Sequence, residues 1–136
     1  MKYLLDTDVC IYWLKNREPF RSKIFSLGFE NLTISQVTVA ELYYGAYNSA
    51  PDHQQKNLDR LRQFVQISKV LEIKDSVLEH FGRLKASLRQ QGQIVDDFDL
   101  LIASFAIDYD RILFTNNIRH YKNIPGLTYQ SVDDMT

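Results

Sequence analysis

A chain of 136 residues can bury one core of ordinary size, and 45% hydrophobic with 24% charged residues excludes a disordered or fibrous chain. A formal net charge of −1 removes bulk basicity as a sign of a nucleic-acid partner, so any phosphate contact must come from local patches. One cysteine, Cys10, excludes an internal disulfide and a cysteine metal cluster, and no apolar run approaches the ~18 residues of a membrane span.

Tyr3 to Leu5 reads as a short buried strand that ends at once on Asp6. An acid reached that early leaves no room for a signal-peptide apolar core, which with the lone cysteine points to the cytoplasm. Asp8 is expected to cap the helix that follows, which carries Val9, Ile11, Tyr12, Trp13 and Leu14. Pro19 suits the first turn of a second helix with Phe20, Ile24, Phe25 and Leu27 as its apolar side, stopped by Gly28.

Leu32 to Ile34 is a second strand, and Ser35 caps a helix over 36–50 that contains Glu41. Pro51 and Asp52 break the pattern before a helix whose apolar residues are Leu58, Leu61, Phe64 and Val65. Val70 to Ile73 alternates like a strand. Asp75 or Ser76 then opens a helix with Val77, Leu78, Phe81, Leu84 and Leu88 on one face, ended by Gly92.

Asp96, Asp97 and Asp99 cluster before an apolar run over 100–107, which predicts a buried helix. Arg111 to Phe114 is the clearest later strand and ends in Thr115, Asn116 and Asn117. Tyr121 to Gly126 reads as a loop, and 127–131 as an edge strand. Strands alternating with helices predict an α/β fold around a parallel sheet, with one domain over 1–136.

In such a sheet the strand ends and helix starts share one edge, so Asp6, Glu41, Asp99 and the Asn116–Asn117 pair are expected to converge. Clustered carboxylates repel and raise each other's pKa, and a divalent cation removes that cost. Oxygen-only ligation with retained waters is the Mg²⁺ pattern, with Mn²⁺ a close substitute, and it suits phosphodiester chemistry. His53, His80 and His120 share no ligand spacing and read as surface residues. Tyr43, Tyr44 and Tyr47 recur at helical spacing, and Arg83, Lys85 and Arg89 lie on one helix as a face for RNA or for solvent.

The chain resembles the PIN-domain ribonucleases, specifically the VapC-type toxins of toxin–antitoxin pairs. The matching pieces are Leu4 to Asp8, Ser35 to Leu42 followed by Gly45, Ile94 to Ala103, Thr115 to Asn117, and Ile124 to Leu127, in the family's order and spacing. The resemblance implies an α/β/α sandwich and Mg²⁺- or Mn²⁺-dependent endonucleolytic hydrolysis of RNA by a metal-activated water. It also implies a cognate VapB-type antitoxin, and suggests a homodimer with no membrane association. Carried over position by position, Asp6, Glu41 and Asp99 match the core acids and metal ligands. Asn117 stands where many members have a fourth Asp, which leaves a second metal in doubt, and Asp96 is close enough to substitute. Two rival readings remain at this stage. One is a haloacid-dehalogenase-like phosphatase with Asp6 as nucleophile and Asp8 as acid–base. The other is a PIN-like module that binds RNA or protein without cutting.

Overall fold

The computed structural model describes residues 2–131, so the one-domain expectation over 1–136 extends past the described residues at both ends. Strand β1 (Tyr3–Leu5) lies at the centre of a five-stranded, all-parallel sheet with β2 (Leu32–Ser35), β3 (Val70–Leu71), β4 (Ile112–Thr115) and β5 (Tyr129–Ser131) in the order β3-β2-β1-β4-β5. Seven helices connect the strands: α1 (Thr7–Leu14), α2 (Phe20–Ser26), α3 (Gln36–Tyr47), α4 (Pro51–Ile67), α5 (Asp75–Gln90), α6 (Asp97–Asp108) and α7 (Ile118–Tyr121).

Alternation along each strand sends neighbouring residues to opposite faces. In β1, Leu4 enters one core and Leu5 the other; in β4, Leu113 and Phe114 divide the same way. One core gathers Val77, Leu88, Ile102, Phe105 and Tyr121 from α5, α6 and α7. The other gathers Val9, Ile24, Leu42, Leu58 and Leu61 from α1 to α4. This is an α/β/α sandwich, with each fully buried Leu, Ile or Phe contributing roughly 1.5–3 kcal/mol. The buried reading of 100–107 holds: Leu100, Ile102, Ala103, Phe105 and Ala106 are all sealed from solvent.

The sheet grows from β1 towards β2 and β3 on one side and towards β4 and β5 on the other. The strand order therefore reverses at the β1–β4 pair, where α/β sheets open a crevice outside the carboxyl ends of the strands. β1 runs straight into Asp6 and β4 ends on Thr115, one on each side of that crevice. The ladder continues into it, with the Asp6 amide donating to the Phe114 carbonyl at 2.9 Å.

Several local expectations change. Asp6, not Asp8, is the N-cap of α1: its carbonyl accepts from Cys10 N and its carboxylate from Thr7 N, which leaves Asp8 inside the first turn. Pro51 starts α4 instead of merely breaking the chain, because a missing N–H costs nothing at a helix start. Helix α3 stops at Tyr47, three residues early, and β3 keeps only two of its four expected residues. Phe25 and Leu78, placed on core faces by spacing, are 75% and 48% exposed. The stretch from Tyr121 does not begin as loop, since Tyr121 closes the single turn α7 and is fully buried. Ser35 caps α3 as expected, accepting from Thr38 N at 3.1 Å, and Gly28 stops α2 at φ +87°, where an added Cβ would meet Glu30 Oε1 at 2.8 Å.

Candidate functional site

The carboxylates at the β1–β4 crevice are held by partners from α1, β4 and α7. Asp6 is only 4% exposed, yet both of its oxygens are satisfied. Oδ1 accepts from Thr7 N at 2.8 Å and from the Tyr121 hydroxyl at 3.0 Å; Oδ2 accepts from Thr115 Oγ1 at 2.8 Å. Thr115 is itself fixed, because its Oγ1 accepts from Asn117 N at 2.9 Å. Burial still pushes the Asp6 carboxyl above its ordinary range, against these hydrogen bonds.

Asp99 sits in the first turn of α6 and shares the Tyr121 hydroxyl through Oδ1 at 3.3 Å. Its Oδ2 pairs with His120 Nδ1 at 3.0 Å. Partial burial and the charge of Asp6 raise its pKa, and His120 opposes that shift. Glu41, in the second turn of α3, accepts from Thr7 Oγ1 at 2.6 Å. Thr7 Oγ1 lies 3.0 Å from Thr38 Oγ1, which lies 3.4 Å from Ser35 Oγ. A file of three hydroxyls from the α3 cap thus ends on the Glu41 carboxylate. Burial first, then the charges of Asp6, Asp99 and Asp96, raise the Glu41 pKa.

Asp8 is more than a helix-end residue. Its Oδ1 accepts from Val9 N at 2.7 Å and its Oδ2 from Asn116 N at 3.0 Å, so it ties α1 to the end of β4. Burial and the Asp6 charge push it up to about 7.

The sequence-derived acids therefore line one crevice. Tyr121 links Asp6 to Asp99, Thr7 links Asp6 to Glu41, and Asp96 stands with Asp99 in the wall of an adjoining cavity. Asp96 caps α6 by accepting from Phe98 N at 2.9 Å. Asp97 is drawn away by Lys85 at 2.9 Å, which also removes Lys85 from the free cations of that helix. Asn117 is exposed, and among the described residues its backbone N–H, not its side chain, connects it to the site. Spacing missed Tyr121 and His120. His120 is half-exposed but is no bystander, being bound to Asp99. Tyr121 gave no periodic signal, because α7 spans a single turn and ends on it.

Two cavities flank the acids. One of about 210 Å³ lies between α1, α3 and α4, with Glu41, Lys15 and Arg60 among its walls. The other, about 260 Å³, is lined by Asp96, Asp99, Arg119, His120 and Asn123.

Among the described residues no three His, Cys, Asp or Glu groups stand close enough together to hold a metal ion between them. A hydrated Mg²⁺ needs only one or two carboxylates and keeps several waters, so an open arrangement fits it. The donor set is all oxygen; burial raises the pKa of Asp6, Glu41 and Asp99, and neighbouring acids add to the shift at Glu41 and Asp99.

A family model for the PIN domain matches residues 3–126. Ribonuclease VapC2 of Haemophilus influenzae is 33% identical over 93% of this chain and 95% of its own. The tRNA(fMet)-specific endonuclease VapC of Shigella flexneri is 35% identical over the same shares. Among solved structures, VapBC2 from Rickettsia felis bound to a promoter DNA fragment superposes with a TM-score of 0.86 at 32% identity, covering 96% of this chain and 98% of the matched one. DNA-bound VapBC from Salmonella typhimurium gives 0.88 at 31%, with the same coverage.

Proposed function

The chain belongs to the PIN-domain family, and on that premise we propose that it is a divalent-metal-dependent endoribonuclease acting as the toxin of a VapBC-type pair. The observation that carries this reading is that Asp6, Glu41 and Asp99 line the crevice where the strand order reverses. We infer a single PIN domain working in the cytoplasm, with RNA as substrate, a homodimeric state, and a VapB-type antitoxin that blocks the site.

Asp6 and Asp99 would hold Mg²⁺ or Mn²⁺, with Asp96 available at the rim. The cation supplies a Lewis acid at the scissile phosphate and a water acidic enough to attack it. Glu41, held by the hydroxyl file, is placed to orient that water and accept its proton. Asn117 is exposed beside the crevice, where a neutral amide can donate to a phosphate oxygen. Arg119 and Lys15 stand on opposite cavities, in position to contact flanking phosphates.

The phosphatase reading is not favoured. The PIN-domain family model spans residues 3–126, and the relatives are named as a ribonuclease and a tRNA endonuclease, not as phosphatases. Asp8, the would-be acid–base partner of Asp6, is tied by two backbone amides. The non-cutting reading has only Asn117 in its favour, against relatives named as ribonucleases.

Asp99→Asn is the cleanest test, because Asp6 also caps α1 and its loss disturbs the fold. RNA cleavage should fall by more than about a hundredfold, beyond the usual cost of losing an outer partner of a metal ligand. Thermal stability should hold, and excess EDTA should silence the wild-type protein. Unimpaired cleavage in the variant or in EDTA overturns the reading.

A further inference from the structure

We propose that Tyr121 is a positioning residue that sets how Asp6 and Asp99 face a common cation. The inference rests on the metal-dependent reading above and adds a residue that neither strand ends nor acidic motifs point to. The ring of Tyr121 is fully buried in the core of α5 and α6, which fixes where its oxygen stands. From there one hydroxyl reaches Asp6 Oδ1 at 3.0 Å and Asp99 Oδ1 at 3.3 Å, so the two acids are spaced by a shared third party.

The choice of group is physically specific. Two carboxylates at this range repel, and an unheld pair would turn apart. A lysine between them would hold them but would neutralise the charge that attracts a cation. A neutral hydroxyl shares its single proton between the pair, mainly with the nearer Asp6, and leaves both charges in place. The remaining donors lie on the outer sides: Thr115 on Asp6 Oδ2 and His120 on Asp99 Oδ2. Each carboxylate offers about four lone-pair sites, so these bonds fix its orientation without exhausting its capacity for a metal. Outer partners of this kind commonly govern metal affinity by about 10- to 100-fold.

Tyr121→Phe keeps the buried ring and deletes only the oxygen. Mn²⁺ binding to the RNA-free variant, followed by calorimetry, should weaken about 10- to 100-fold. Cleavage should fall at limiting Mn²⁺ and recover largely at saturating Mn²⁺, with KM for RNA unchanged. A merely structural tyrosine would lower Tm and leave Mn²⁺ affinity alone; that result, or unchanged affinity, overturns the proposal. If the variant does not fold, the ring ¹³Cζ resonance of Tyr121 in the wild-type protein takes its place. It should shift as Mg²⁺ is added, and a stationary resonance overturns the proposal equally. A wild-type protein that binds no Mn²⁺ at all sinks the metal-dependent reading itself, whereas tight wild-type binding with an unaffected variant sinks only the role of Tyr121.

Discussion

Replacing Asp8 with Asn separates the electrostatics of the crevice from its packing. Asn has nearly the shape of a protonated Asp and cannot ionise. Burial and the neighbouring Asp6 raise Asp8 from the ordinary 3.8 to about 7, so the native protein holds this proton over a range where the unfolded chain releases it. The sign follows from linkage: the stabilisation is complete below 3.8 and is lost as pH rises through about 7. At ~1.36 kcal/mol per pKa unit the interval is worth about 4 kcal/mol, or about 3 once partial solvent access of Asp8 is allowed for. Asn offers one acceptor oxygen to two backbone N–H donors, so Asp8→Asn should fall about 1–2 kcal/mol below wild type near pH 4, and the difference should move in its favour by about 3 kcal/mol by pH 8 in EDTA. At ~3 °C per kcal/mol for a chain of this size, the Tm difference should move by roughly 9 °C between the two pH values. Thermal unfolding of both proteins across pH 4 to 8 measures this, and saturating Mn²⁺ should narrow the gap by neutralising the wild-type acids. A gap that is constant with pH, or a variant less stable than wild type at pH 8, refutes the argument.

Two other outcomes follow from the same geometry. Burial raises Asp6, Glu41 and Asp99, and neighbouring acids add to it at Glu41 and Asp99, so Mn²⁺ affinity should fall as pH drops towards the carboxylate range, with the accompanying proton release read by calorimetry in buffers of different ionisation enthalpy. Thr7→Val removes the donor to Glu41 and leaves the Thr38 hydroxyl with only Ser35 Oγ, at 3.4 Å. It should cost about 1–2 kcal/mol in denaturant unfolding, and about tenfold or more in single-turnover RNA cleavage.

What could be seen in the sequence divides along a physical line. Asp6 was visible because an apolar strand that stops on an acid has a determined place in a parallel sheet, and Glu41 because it lies near the start of a helix that follows a strand. Both signals are carried by elements whose periodicity extends beyond the residue itself. The support of those acids was not visible, because it depends on contacts between segments more than a hundred residues apart, as with Thr115 and Tyr121 on Asp6. Tyr121 lies in a single helical turn, too short for any periodic signal, inside a polar stretch that reads as loop. The exchange of roles between Asp6 and Asp8 has the same origin. Local rules allow either acid to cap α1, and only the arrival of β4 decides. Asn116 N engages Asp8 and Thr115 Oγ1 engages Asp6, so the end of one strand settles the start of another. Asp6 then serves two ends at once, finishing the helix and facing the crevice. That double use explains why the buried acid is so fully hydrogen-bonded: a carboxylate that must keep its charge in a 4% exposed position needs a donor on every side that a cation does not occupy.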